Sequence, residues 1–330
     1  MPLGFINIYK PQGMTSHDVV AKVRKLTRIK RVGHAGTLDP LAEGVLPVAL
    51  GPACRLVDYL PSGKQYLAAI LLGRTTATDD LEGEVLEERA LPYLDEDEIR
   101  SCVMRFEGNL SQTPPLYSAI RLDGKRLYQL ARSGAKDVVI KPRDVTVYKI
   151  EIVKIELPTI TVRVACSKGT YIRSLARDIG AELAVGGCLQ KLLREKAGLM
   201  TVEKSVRLAE VEEAIKDKRL EELIVSPADA LAVGTLNVDD ATARKLSHGQ
   251  KVDFPGLEHD SRYSTTPECP DLAHGPRERV VQSDDASSVQ EPVEDRLVMV
   301  AYHGHPLALC RCTWDDKLEP EVVFADQAVR

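Results

Sequence analysis

The sequence predicts an α+β fold: a large first domain on a mixed, mostly antiparallel sheet, then a small, mostly β module. Three observations carry this. Strand-like and helix-like runs do not alternate strictly, which argues against a doubly wound parallel sheet. Two long β-type runs, 145–156 and 159–166, meet at Pro158-Thr159 as a hairpin would. Beyond a break at Ala232-Val233-Gly234, the apolar runs become short and β-like.

The elements follow in order. Gly4 to Tyr9 (GFINIY) reads as a strand. Ser16 is expected to cap a helix with Val19, Val20, Val23, Leu26 and Ile29 along one face, the spacing of a 3.6-residue period. Further strands are expected at 65–72 and 117–122, and helices at 95–106, 125–132, 170–184 and 208–217. In the module, strands are expected at 235–238, 251–254, 296–301, 307–312 and 322–324, with one helix over 239–246. The domains are therefore placed at 1–232 and 233–330.

The chain has 330 residues, 44% of them hydrophobic, enough for a substantial core. Its 44 basic and 49 acidic side chains give a net charge of -5, which argues against a nucleic-acid partner only if the acidity is spread evenly. It is not. Residues 1–235 carry a net +3, whereas 256–295 alone carry -7. That stretch has few apolar residues and is rich in Pro, Ser and Asp, so it reads as a disordered acidic insertion in the module. No apolar run approaches the roughly eighteen residues a membrane span needs. The N-terminal MPLGFINIYKPQG lacks the basic and apolar regions of a signal peptide. Seven cysteines without a CxxC pair read as reduced thiols in a cytoplasmic protein.

The densest irregular segment is GHAGTLDPLAEGVLP, residues 33–47. Its glycines and prolines impose an unusual backbone path around one carboxylate, Asp39. Two readings stand. An Asx-type turn before Pro40 is the commoner use of Asp-Pro, and composition alone favours it modestly. The other reading is a nucleophile or base, held by a stiff loop beside His34 and flanked by Leu38 and Leu41. Metal and phosphate-loop motifs are missing: there is no HxxxH, HExxH, paired CxxC or GxxxxGK[ST]. No cofactor or metal is expected. Lys22, Arg24, Lys25, Arg28, Lys30 and Arg31 form an unbroken basic run into the glycine-rich loop, suited to phosphate contact or simply to a solvated helix face. Arg121, Lys125, Arg126 and Arg132, interleaved with Tyr117 and Tyr128, repeat a mixture of bases and aromatics used on RNA surfaces.

Together these segments resemble a known family. KPQGMTSH at 10–17, GHAGTLDPLAEGVLPV at 33–48, GRTTATDD at 73–80, QTPPLYSA at 112–119 and CSKGTYIR at 166–173 are similar, in order, to the motifs of bacterial tRNA pseudouridine(55) synthases, the TruB family. The resemblance covers about residues 4 to 235. More weakly, the C-terminal module resembles a PUA domain, a small RNA-binding β-barrel. The resemblance implies isomerisation of the T-loop uridine of tRNA, without cofactor or guide RNA. The N1–C1′ bond breaks, the uracil turns, and a C5–C1′ bond forms. It makes Asp39 the catalytic aspartate and Arg173 the arginine paired with it. It makes Tyr66 the tyrosine that stacks on the flipped base and takes part in proton transfer. His34 becomes the residue that helps displace the base, and Tyr171 and Leu192 become substrate contacts. The run Gln190-Lys191-Leu192-Leu193-Arg194 admits a one-residue shift for the last. Asp80 and Thr76 are expected to brace a turn, and Lys10, Ser118 and Lys168 to support the fold or backbone contacts, and not to act in catalysis. A monomer acting on the T-arm is expected. The alternatives are a guide-RNA-dependent synthase and a tRNA-binding or folding protein without catalysis.

Overall fold

A computed structural model describes residues 2–118, 120–122, 125–127, 139–254, 296–313 and 315–324. The predicted insertion at 256–295, and Tyr128 and Arg132, lie outside them. The chain opens with strand β1 (Gly4–Lys10), helix α1 (Ser16–Thr27), β2 (Val32–His34) and β3 (Glu43–Leu50). After two short 3₁₀ turns come β4 (Lys64–Leu72), the hairpin β5 (Arg74–Thr76) and β6 (Val85–Glu88), α2 (Glu96–Met104) and β7 (Gly108–Gln112). A two-residue ladder of β8 (Arg121–Leu122) and β9 (Lys125–Arg126) precedes the long hairpin β10 (Arg143–Glu156) and β11 (Thr159–Cys166). Helix α3 (Ile172–Glu182), β12 (Gly187–Ala197), β13 (Met200–Thr201) and α4 (Leu208–Lys216) complete the large domain.

Nine of these strands form one sheet with the path β1-β3-β12-β4-β11-β10-β7; β2 pairs with β3 and β13 with β12. Every neighbouring pair is antiparallel except β3 with β12. The mixed, mostly antiparallel α+β sheet is thus the one expected. Alternation along β1 and β3 explains their continuous apolar sequence. Ile6, Ile8, Leu46, Val48 and Leu50 face α1 and α4, while Phe5, Val45 and Ala49 face Met299, Leu309 and Phe324 of the C-terminal module. Val19 and Val23 of α1 are fully buried in the first of these layers, each worth roughly 1.5–3 kcal/mol. A separate core under β4, β11 and β12 is covered by α2 and α3.

Four expectations need correction. Thr15, not Ser16, caps α1: its hydroxyl accepts the Asp18 N–H while the Asp18 carboxylate accepts the Thr15 N–H. Ile29 lies beyond the end of that helix. Residues 33–47 are not one irregular segment, because β2 and β3 enter it from both ends and leave Ala35–Ala42 as the loop. The strand expected over 117–122 shrinks to 121–122, and 125–126 pair back on it, so that the expected helix starts at 127 and not at 125. Asp123-Gly124 is a sequence signal for a hairpin that overrides the helical spacing at 125–126. The rest of that expected helix, from 128, lies outside the described residues.

β12, near the middle of the sheet, has no sequence prediction. Its Leu, Gln, Lys, Arg and Glu are helix formers, and its strand state comes from pairing with β4 and β3. The approach of α3 to β12 depends on Gly180. A Cβ there would stand 2.2 Å from the Gly187 nitrogen, a contact that backbone cannot relieve. Gly180→Ala should therefore destabilise the fold by roughly 1–3 kcal/mol in a thermal melt, although alanine is the better helix former.

The C-terminal module is a five-stranded sheet in the order β14 (Thr235–Asn237), β16 (Arg296–Tyr302), β17 (His305–Cys312), β18 (Lys317–Val323) and β15 (Val252–Asp253). A helix at Asp240–Ser247 packs Ala243 and Leu246 into it. Four of the strands and the helix overlap the expected runs closely, whereas the last, expected at 322–324, begins earlier, at Lys317, and ends at Val323. Arg55 and Tyr59, from the 3₁₀ turns, reach across to the Val323 carbonyl and to Glu321.

Candidate active site

The Ala35–Ala42 loop is pinned through its main chain. Ser16 Oγ accepts the Leu38 N–H at 2.9 Å and reaches the Leu38 carbonyl at 3.2 Å. Gly13 N–H donates to the Pro40 carbonyl at 2.8 Å. The fully buried Lys10 ammonium donates to the carbonyls of Met14, Pro11 and, at 3.5 Å, Pro40. Arg194, buried without any exposure, donates to Val45 O at 2.7 Å, Gly36 O at 3.1 Å and Thr37 O at 3.4 Å. The KPQGMTSH segment is thus a bracket for the loop, which is the physical reason the two motifs occur together.

The Asp39 side chain takes no part in this bracing. Its Oδ2 forms an ion pair with Arg173 Nη2 at 2.9 Å, and its side chain is 39% exposed while that of Arg173 is 6% exposed. The carboxylate's ion-pair partner thus lies on another element and not within the turn. Arg173, in the first turn of α3, is itself fixed. Nη1 donates to Thr78 O at 3.0 Å, Nη2 to Tyr117 O at 2.9 Å, and Nε faces the buried Asp80 carboxylate at 3.6 Å. Asp80 is held by the Thr78 hydroxyl and the Glu82 N–H, and Thr76 donates to its carbonyl. Asp80 and Thr76 therefore brace a turn, as expected, and Asp80 also supplies a second anion to Arg173.

Tyr66 of β4 lies opposite Arg194 in the β12 register and packs in one cluster with Leu38, Leu41 and Leu192. Burial pushes its phenol up to about 12, so near neutral pH it is a hydrogen-bond donor. Leu192 is the buried leucine of its run, with Lys191 exposed and Leu193 half-buried. Tyr171 immediately precedes α3, its N–H and carbonyl both clamped by the side-chain amide of Gln112. Burial raises its phenol too. Asp39, Tyr66, Arg173, Tyr171 and Leu192 thus converge, Tyr66 and Leu192 sharing the apolar cluster of the loop's own leucines.

His34 ends β2 and stands edge-on to His17, ring centroids 5.8 Å apart. Its Nδ1 is buried without a partner, and burial, then His17 and Arg194, lower its pKa. A base with a depressed folded pKa binds its proton more readily when unfolded. Stability should therefore fall as pH drops through the unfolded histidine value near 6.5 toward the lower folded one. Melting curves between about pH 5 and 7.5 should be steeper in pH for the wild type than for His34→Gln.

Lys10, Gln112 and Arg194 hold the site yet were not among the expected site residues. Lys10 and Gln112 lie within recognisable motifs, but nothing in the sequence tells that Arg194 points inward. Among the described residues no group of His, Cys, Asp and Glu could hold a metal ion.

The N-terminal domain of TruB family pseudouridylate synthases matches residues 24–172. A tRNA pseudouridine synthase B of Clostridium tetani is 43% identical over 251 residues, 76% of this chain and 85% of that protein. The Synechocystis protein of the same name is 45% identical over 258 residues, 77% of this chain and 86% of its own length. The chain belongs to the TruB family. The TruB match includes the Asp39 loop, Tyr66 and Tyr171 and stops one residue before Arg173. Solved structures extend the likeness into the C-terminal module. Cbf5 in a Cbf5-Nop10-Gar1 complex superposes with a TM-score of 0.65 and 27% identity, covering 98% of this chain and 85% of that one. An archaeal box H/ACA Nop10-Cbf5 complex gives 0.66 and 25%, with 98% and 87% covered.

Proposed function

We propose that this TruB protein converts uridine in tRNA to pseudouridine, acting on the T-loop uridine at position 55 without guide RNA or cofactor. The observation that carries the reading is the Asp39–Arg173 pair beside the apolar cluster of Leu38, Leu41, Tyr66 and Leu192, in a chain 43–45% identical to tRNA pseudouridine synthases B. The identity to the H/ACA proteins is lower, 25–27%, which favours the guide-independent form.

The chemistry follows from the residues. Arg173 aims the Asp39 carboxylate from a rigid socket, so the anion meets the flipped nucleotide in one geometry. Asp39 then either attacks a carbon or takes a proton while N1–C1′ breaks. Leu38, Leu41, Leu192 and the Tyr66 ring form a dry wall on which the free uracil can turn before C5 bonds to C1′. With its raised pKa the Tyr66 phenol donates rather than abstracts. His34, at the loop's entrance, fits the task of filling the gap left by a flipped base, which costs a few kcal/mol to extrude. The exposed run of Lys22, Arg24, Lys25, Arg28, Lys30 and Arg31 on and after α1 has no ion-pair partner among the described residues, and it suits an RNA backbone. Residues 233–330 serve, on this reading, as a PUA-like RNA-binding domain, and the protein acts as a monomer on the T-arm.

The test is direct. The purified protein is incubated with an unmodified tRNA transcript, without added metal or guide RNA, and pseudouridine is mapped by nucleotide. Product at the T-loop uridine supports the reading, and its absence there sinks it.

A further inference from the structure

Lys64 opens β4 two residues before Tyr66, on the same face of the strand. Its side chain turns toward the catalytic loop: a Cβ on Gly36 would stand 3.2 Å from Lys64 Nζ and 3.5 Å from Arg194 Nη1. Gly36 also has φ +85°, a conformation that favours glycine. Two cations therefore border one point beside the loop. Lys168, exposed in the segment between β11 and α3, adds a third positive charge nearby.

No carboxylate answers them. Among the described residues Lys64 Nζ has neither an ion pair nor a hydrogen bond, and the groups acting on it are Arg194, Lys168 and the Cys166 thiol. Burial, then Arg194, drops its pKa to about 8, so holding it protonated costs the free protein stability. Lys10, the other buried lysine, is different, since three main-chain carbonyls receive its protons. Arg194 is likewise spent on carbonyls and supplies field rather than a free donor. A half-buried ammonium with no partner, beside the loop that carries the reactive carboxylate, is a site missing its anion.

We propose that Lys64 and Lys168, backed by the Arg194 charge, form a phosphate subsite that grips a backbone phosphodiester of the RNA strand beside the reacting nucleotide. This rests on the RNA substrate proposed above and adds to it the contact that fixes the strand against the loop. The cations of the subsite border Gly36, whereas Asp39 pairs with Arg173, so the phosphate and the base would be held by different groups.

The test combines two readouts that a merely structural lysine would not move in opposite directions. Binding of an unmodified tRNA transcript is measured against salt for the wild type, Lys64→Gln and Lys64→Arg, and each protein is melted without RNA. Lys64→Gln should bind roughly tenfold more weakly at low salt, as loss of one charge-assisted contact implies. Its log–log salt slope should shrink by about 0.7–0.9. It should melt at the wild-type temperature or higher, because an unpaired buried charge is gone. Lys64→Arg should restore most of the affinity. An unchanged affinity and slope in Lys64→Gln, or a melting point several degrees lower, would overturn the subsite. Loss of the proposed isomerase activity in the wild type would remove the functional reading while leaving the RNA-binding result to stand on its own.

Discussion

Asp39→Asn should lower pseudouridine formation at least about 10³-fold, within the range expected when a nucleophile or general base is lost. It should leave tRNA affinity within about a factor of two, because the carboxylate faces the base pocket and no phosphate-binding cation depends on it. The fold should hardly notice. The side-chain bonds that brace the Ala35–Ala42 loop run to main-chain groups of Gly36, Thr37, Leu38 and Pro40, from Lys10, Ser16 and Arg194, and none of them uses the Asp39 carboxylate. An asparagine keeps the shape and offers its amide oxygen to Arg173, which retains Asp80 as a counter-charge. The choice of Asn is what makes the experiment decisive. Asparagine is as good as aspartate in an Asx turn, so a turn-forming Asp39 would tolerate it fully. Single-turnover rates near wild type would return Asp39 to that turn role and sink the catalytic assignment. Melting and RNA-binding curves on the same sample separate a dead enzyme from a misfolded one.

Much of this site is legible in the sequence because its signals are backbone-chemical. Glycines and prolines around Asp39 announce a forced loop, and the run into His34 announces a basic approach. The hairpin at Pro158-Thr159, the strand at Gly4 and the short runs of the C-terminal module are likewise written in local pattern. What stays hidden is long-range. Ser16 looks like a helix cap because Ser before an apolar run usually is one, yet Thr15 takes that task and frees Ser16 for Leu38, 22 residues away. Arg194 sits in a stretch of helix formers, and an arginine paired with three carbonyls leaves no complementary acid to betray it. β12 is invisible for the same reason: its neighbours, not its own residues, make it a strand. The net charge of -5 misleads because it averages a basic large domain with an acidic stretch of the tail.

Arg173→Met tests whether the aspartate works alone or only as half of a pair. Methionine has about the length of arginine and no charge, so the change removes four polar contacts while filling most of the volume. Two carbonyls, those of Thr78 and Tyr117, lose their donor, and Asp80 is left as a carboxylate with a 5% exposed side chain and no cation beside it. Removing one partner of a buried pair costs about 3–5 kcal/mol, so the melting temperature should fall on the order of 10 °C. Activity should fall with it, since Asp39 loses the group that aims it. Taken alone, that result would not distinguish a positioning arginine from a structural one. The double variant Arg173→Met with Asp80→Asn does. Neutralising Asp80 removes the stranded buried charge, so part of the lost stability should return, a coupling visible as non-additivity in a double-mutant cycle. The isomerisation rate should not return, because nothing then holds Asp39. If the rate recovered in step with the melting temperature, Arg173 would be a structural ion for Asp80 and its contact with Asp39 incidental. If neither recovered, the loss would lie in the orphaned Thr78 and Tyr117 carbonyls, whose segments this guanidinium ties to the start of α3 beside the contacts of Gln112, Ser174 and Arg177.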